Sequence, residues 1–255
     1  MIVTANVWKE SFRVNSYEID THGRASMPTL CRYLQEAAGN HVQLMGASAE
    51  QLMPQGKMWV LSRLNVQIQT YPLWHEQVQI ETWATSRLGG IRAYRDFRFL
   101  NANDELVGAA TSLWLLLDVN TRRPIRIPDY LLQFRVYERE SVLPDAIERL
   151  EQPERVDLEK QFQVRLNDLD FNQHVNNVSY VEWAIETIPQ SVWQNYRLAA
   201  LEIGFLAESA YGDVVISQSE HVAKETQQVF KHRLICNADS RELALVKTVW
   251  FEDTK

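Results

Sequence analysis

The hydrophobic and polar positions along this chain switch between two periods. Leu30, Tyr33, Leu34, Ala37, His41 and Leu44 share one face of a 3.6-residue repeat, and Pro28 sits in its first turn. The spacing predicts a helix from about Pro28 to Met45. A second helical face is formed by Val178, Val181, Ala184, Ile185 and Ile188, with Pro189 as a stop. Elsewhere the period is two. Val66-Gln67-Ile68-Gln69 and Val78-Gln79-Ile80-Glu81-Thr82-Trp83 alternate as strands of a half-buried antiparallel sheet do. Arg95 to Leu100 and Leu106 to Leu117 flank the turn Asn101-Ala102-Asn103-Asp104. Phe230 to Cys236 and Glu242 to Phe251 flank Asn237-Ala238-Asp239-Ser240 in the same way, so two hairpins are expected.

These elements form a repeat. Phe12, Val14, Ile19, Asp20, Tyr33 and Glu36 are matched 150 positions later by Phe162, Val164, Leu169, Asp170, Trp183 and Glu186. With a shorter gap after the helix, Leu64 to Ile68 aligns on Leu201 to Phe205, and Glu76-Gln77-Val78 on Asp213-Val214-Val215. Asn101-Ala102 then aligns on Asn237-Ala238, and Trp114 on Trp250. Each half reads as a short strand, a turn, one helix and three or more long strands. A periodic duplication of this kind dictates the architecture. One apolar helix face per antiparallel sheet is buried most simply when the sheet wraps around its own helix, which is the hot-dog arrangement. The expected fold is therefore α+β, a tandem double hot-dog. The first unit covers residues 1–135 and the second 161–255. Residues 118–160, with Thr121-Arg122-Arg123-Pro124 and the charged runs Glu138-Arg139-Glu140 and Glu148-Arg149-Leu150-Glu151, read as a linker across the surface. Open sheet edges invite pairing, and whether two chains join as a homodimer is left open.

Composition narrows the function. The 255 residues are 45% hydrophobic and 23% charged, which suits a chain with a sizeable core. The start of the chain lacks a basic and then apolar leader. The most apolar run, Val107 to Leu117, is shorter than the ~20 residues that span a bilayer, so a cytoplasmic protein without stable membrane insertion is expected. The net charge of -7 and pI near 5.4 argue against general nucleic-acid binding, which needs a basic surface. Cys31 and Cys236 stand alone, without metal-ligand spacing. They read as buried small apolar residues.

The chemistry is concentrated in Asp170-Phe171-Asn172-Gln173-His174-Val175-Asn176-Asn177, directly ahead of the second helix. Asp and Asn at such a place are ordinarily caps or Asx turns, which accounts for Asp170, Asn176 or Asn177. It accounts less well for His174 and the whole cluster. A helix N-terminus also offers unpaired amides and a positive dipole end, suited to an oxygen gaining negative charge.

The chain resembles the acyl-acyl carrier protein thioesterase family of plant plastids and bacteria. The similarity rests on Tyr17-Glu18, Gln35-Glu36-Ala37-Ala38, Trp59-Val60-Leu61, Arg95-Asp96-Phe97, Thr121-Arg122-Arg123-Pro124 and, most specifically, Asn167 through Asn177. The resemblance implies hydrolysis of a fatty acyl thioester on acyl carrier protein, which ends chain extension and releases free fatty acid, with no cofactor and no metal. It implies a catalytic set of Asp170, Asn172, His174 and Glu208. The family's Glu-Cys pair is here Glu208-Ser209, so a thiolate mechanism does not transfer. Two mechanisms stay open. In the preferred one, water activated by Glu208 or Asp170 attacks the carbonyl, Asn172 and His174 hold water or substrate, and helix amides after His174 take the oxyanion. In the other, Ser209 is the nucleophile and His174 its base. Asn176, Asn177, Ser209 and Trp59 are candidate substrate contacts; Trp74, Trp83 and Met45 are further candidates for the acyl pocket, although such residues are more often core. In the repeat, Asp20, His22, Arg24 and Tyr71 face Asp170, Asn172, His174 and Glu208, an incomplete set. One active site, in the second unit, is therefore expected, with the first unit shaping the acyl pocket. An acyl-CoA thioesterase, a hydratase or a non-catalytic acyl binder are the alternatives.

An acidic carrier docking on an acidic chain needs a local basic patch. Arg122, Arg123 and Arg126 are the candidates, with Arg87 and Arg92 behind them; a solvated loop is the ordinary explanation of such a cluster. Reversing the charge of Arg122, Arg123 and Arg126 together should raise KM for acyl carrier protein thioesters and lower its salt dependence. An unchanged KM would remove this patch from docking.

Overall fold

The structure is a computed structural model and describes residues 6–143, 150–170, 172–224 and 227–253. The chain splits into two compact units, Met1–Ile147 and Glu148–Lys255. The first contains β1 (Val7–Arg13), α1 (Met27–Leu44), α2 (Ala49–Leu52), β2 (Lys57–Ile68), β3 (Gln77–Thr85), β4 (Arg92–Leu100), β5 (Leu106–Asp118) and β6 (Arg135–Val136). The second contains β7 (Leu158–Gln163), α3 (Asn177–Glu186), α4 (Gln190–Asn195), β8 (Tyr196–Phe205), β9 (Val214–Lys224), β10 (Gln227–Cys236) and β11 (Glu242–Glu252). Within the first unit the strands lie in the order β1-β3-β4-β5-β2, and within the second β7-β9-β10-β11-β8, all antiparallel. The two orders are the same under the sequence repeat. The α+β double hot-dog and both hairpins are thus present.

Each helix begins and ends for local reasons. The Ser26 hydroxyl caps α1 by accepting the Thr29 amide at 3.2 Å, with Pro28 in the first turn. The helix ends where Gly46 takes φ 73°, which lets its amide and that of Ala47 return to the carbonyls of Gln43 and Val42. Its buried face, including Leu30, Tyr33, Leu34, Ala37 and His41, packs on β1 and β3. The side chain of Asn176 caps α3, accepting the Val178 amide at 2.9 Å. Pro189 both bars continuation of the chain as helix and stands as the N-cap of α4. Phe12 stacks on Tyr33 with centroids 4.3 Å apart, and the repeat-related pair Phe162 and Trp183 stacks at 6.2 Å.

The linker expectation needs correction. Residues 129–134 form a 3-10 turn that buries Leu131 and Phe134 with Ile127 in one cluster with Met45, Leu52, Ala84 and Leu116. β6 then pairs in parallel with β3. Isolated apolar residues between prolines were enough to draw this stretch into the core. The charged residues that follow answer buried carboxylates. Arg139 reaches Glu81 at 2.9 Å, and Arg155 reaches Glu220 at 3.0 Å. Glu148 and Arg149 lie outside the described residues. Both cysteines are buried and unbridged, and burial pushes the Cys31 thiol up to about 12. Among the described residues no helix is long and apolar enough to cross a membrane.

His232 on β10 is fully enclosed. Its Nε2 lies 3.0 Å from the Thr248 hydroxyl, while Nδ1 has no protein partner among the described residues. Burial pulls its pKa down to about 3. The unfolded chain therefore takes up a proton near pH ~6.5 that the folded chain refuses until about pH 3. Folding stability from this residue is present above pH ~6.5 and is lost as pH falls, at about 1.4 kcal/mol per unit. Denaturant unfolding between pH 6.5 and 5 should show this slope in the wild type and a flatter one in His232→Gln; equal slopes would contradict it.

Candidate active site

The stretch ahead of α3 folds into a tight loop closed by one carboxylate. Asp170 Oδ1 accepts the backbone amides of Asn172 at 2.8 Å and His174 at 3.1 Å. The Asp170 amide donates to the His174 carbonyl at 2.7 Å, the Gln173 amide returns to the Asp170 carbonyl at 3.0 Å, and Leu169 bridges Val175. Gln173 takes φ 64°, a left-handed conformation that disfavours a residue with a side chain. Asp168 braces the entry: Arg165 donates to it from backbone and guanidinium at 2.7 and 2.8 Å. Burial works to raise the Asp168 carboxyl, and the Arg165 contacts outweigh it and hold it below its ordinary value. Phe171 lies outside the described residues.

The first unit carries the same loop bond for bond. Asp20 Oδ1 accepts the amides of His22 and Arg24 at 2.8 and 3.0 Å. The Asp20 amide reaches the Arg24 carbonyl at 2.7 Å, Gly23 returns to Asp20, and Ile19 bridges Ala25. Gly23 fills the left-handed position with φ 76°. The difference is in the side chains. Arg24 Nε takes Asp20 Oδ2 at 3.3 Å, so the second carboxylate oxygen there is neutralised. At the corresponding place in the second unit stands His174.

Glu208 joins His174. Its Oε1 lies 3.8 Å from His174 Nδ1, with the side chains 45% and 32% exposed, so both are partly open to solvent. The neighbouring Ser209 is buried and committed elsewhere: its hydroxyl lies 2.9 Å from the Tyr180 hydroxyl, to which its amide also donates at 3.0 Å. Arg241 Nη2 donates to the Glu208 carbonyl at 3.2 Å. Tyr180 and Arg241 were not among the expected site residues. The signal for Tyr180 was a mismatch, since the repeat sets Leu30 opposite it.

Two expectations change. Ser209 is held by Tyr180 and is not hydrogen-bonded to His174, which removes the geometry of a serine nucleophile with a histidine base. The amides of Asn176, Val178 and Ser179 are already donated, to the Asp168 carbonyl and to Asn176 itself, so the oxyanion is not served by these helix amides. Asn176 acts as the helix cap, and Asn177 is the first residue of α3. Among the pocket candidates, Trp83 is wholly buried core, with Arg139 over its ring at 4.6 Å, and Trp74 is half exposed and stacked on His75. Trp59 donates to the Ala47 carbonyl at 3.0 Å and packs on the Met45 cluster. Arg122, Arg123 and Arg126 are exposed; Arg126 stands 3.7 Å from Asp129, and Arg122 takes φ 55° in the turn after β5. Among the described residues no group of three or more His, Cys, Asp or Glu side chains is gathered as a metal would require.

Comparison with known proteins identifies the family of the chain. The acyl-ACP thioesterase N-terminal domain model matches residues 5–134, and the C-terminal domain model matches residues 151–252. The chain belongs to the acyl-ACP thioesterase family. It is 34% identical over 245 residues to the chloroplastic oleoyl-acyl carrier protein thioesterase of Coriandrum sativum, covering 88% of this chain and 65% of that protein. It is 30% identical over 275 residues to oleoyl-acyl carrier protein thioesterase 1 of Arabidopsis thaliana, covering 95% of this chain and 75% of that one. The chain thus spans somewhat less than two thirds of the coriander protein's length. Among solved structures, the 12:0-ACP thioesterase from Umbellularia californica superposes with a TM-score of 0.89 at 26% identity, covering 98% of this chain and 96% of that one. An acyl-ACP thioesterase from Bacteroides thetaiotaomicron shares the fold with a TM-score of 0.87 at 23% identity, covering 96% of this chain and 98% of that one.

Proposed function

We propose that this chain hydrolyses the thioester of a fatty acyl chain carried on acyl carrier protein, in the cytoplasm, with a single active site in the second unit. The observation that carries the reading is the pairing of His174 with Glu208 at 3.8 Å, where Arg24 and Tyr71 stand at the corresponding places of the first unit. In this reading Glu208 removes a proton from water as the water oxygen attacks the thioester carbonyl. Asn172 and His174 donate hydrogen bonds to the oxygen that gains charge. Collapse of the tetrahedral intermediate breaks the carbon–sulfur bond; the sulfur leaves as thiolate and takes up the proton, giving carrier thiol and fatty acid. Asp170, its Oδ1 already holding two amides, keeps Asn172 and His174 in place. A thioester needs no covalent relay, and one positioned base contributes roughly 10²- to 10⁴-fold.

The first unit, with Arg24 on Asp20 and no counterpart of Glu208, is assigned to the acyl chain, and Trp59 with Met45 to the apolar surface that meets it. Arg122, Arg123 and Arg126 are assigned to carrier docking. The match to relatives named for acyl carrier protein thioesters supports the carrier over CoA.

The test is fatty acid release from a panel of acyl carrier protein and CoA thioesters of graded chain length. Release should be faster from the carrier protein than from CoA. Glu208→Gln should lose about 10²- to 10⁴-fold in kcat, and Ser209→Ala less than about tenfold, because its hydroxyl serves Tyr180 and not the carbonyl. Equal collapse of both variants would restore the serine mechanism. Faster release from CoA would move the substrate, and binding of acyl chains without any release would make the chain a binder.

A further inference from the structure

The second unit contains a tie that the first lacks, and it runs from the helix of the His174 loop to the segment that carries Glu208. Tyr180 is in the first turn of α3, buried, with its ring edge-on to Trp183 at 5.3 Å and to Phe205 at 6.0 Å. Packed in this way, the ring has little freedom, and its hydroxyl holds both the amide and the hydroxyl of Ser209. Burial raises the phenol above its ordinary value, so it remains a neutral hydrogen-bonding group. From the other side Arg241, itself 3.0 Å from Asp239, holds the Glu208 carbonyl. The next turn is closed by the Ala210 amide on Asp213 at 2.9 Å, and this contact has a twin in the first unit, Leu73 on Glu76 at 2.8 Å. The Tyr180 and Arg241 contacts have no twin: Leu30, Pro72 and Glu105 occupy the places of Tyr180, Ser209 and Arg241. The shared turn is therefore part of the scaffold, and the extra tie is found where the segment bears a carboxylate facing His174.

We propose that Tyr180 and Arg241 are positioning residues that fix the backbone of Glu208 so that its carboxylate is held against His174. This rests on the reading of Glu208 as the base. Neither residue needs to touch substrate; each acts by limiting where the Glu208 carboxylate can go, and a displacement of about 1 Å at a reacting group costs on the order of a hundredfold.

The experiment is a double-mutant cycle on fatty acid release by the full chain, using Tyr180→Phe, which keeps the packed ring, in wild-type and Glu208→Gln backgrounds. Tyr180→Phe should lower kcat about ten- to a hundredfold with KM little changed, and by less than about twofold when Glu208 is already Gln. Arg241→Met, which frees the Glu208 carbonyl, should show the same dependence on background and serves should Tyr180→Phe fail to fold. An equal fold-loss in both backgrounds, or none in the wild type, would overturn the proposal. Full activity in Glu208→Gln alone would instead remove the base, and with it the group that Tyr180 positions.

Discussion

The site depends on one oxygen atom. Asp170 Oδ1 collects the amides of Asn172 and His174 and so closes the stretch from Asp170 to His174 into a loop ahead of α3. Hydrogen bonds to a charged acceptor contribute roughly 1.5–3 kcal/mol each, enough to hold Gln173 in a left-handed conformation that a side chain disfavours. That closure fixes the backbone from which the His174 side chain leaves, immediately ahead of the Asn176 cap of α3.

The corresponding oxygen makes the same contacts in the first unit, where Asp20 Oδ1 accepts the amides of His22 and Arg24. The clamp is thus a property of the duplicated scaffold, and its two copies differ in a few side chains. Arg24 spends its guanidinium on the second oxygen of Asp20. His174 leaves the corresponding oxygen without a cation of that kind and turns toward Glu208. Tyr71 stands where Glu208 would be. Two loops with one backbone geometry therefore differ in electrostatics: one is internally neutralised, the other presents an imidazole and two carboxylates.

Much of this was legible in the chain. Period-two and period-3.6 patterns, the two hairpin turns and the offset between Asp20 and Asp170 were sufficient for the double hot-dog and for the place of the loop, because burial on one face leaves a direct mark on sequence. The stretch after β5 was not legible. Ile127, Leu131 and Phe134 are too widely spaced to show a period, and they enter the core because a tertiary cluster receives them. Hydrogen-bond bookkeeping was equally invisible. Nothing in the sequence says that Asn176 takes two of the amides that a bare helix N-terminus would offer an oxyanion, or that Ser209 is occupied by Tyr180. Such facts depend on which neighbour arrives within 3 Å, and only the folded chain decides that.

The two units share a loop and differ in what it presents, and the proposed activity rests on His174 and its surroundings. The most direct measurement is fatty acid release by His174→Arg, which installs the first unit's residue on the second unit's loop. A folded protein is expected, since Arg24 already fits this geometry against Asp20, with release reduced about a hundredfold or more. A folded His174→Arg protein that releases fatty acid within a few-fold of the wild-type rate would contradict it.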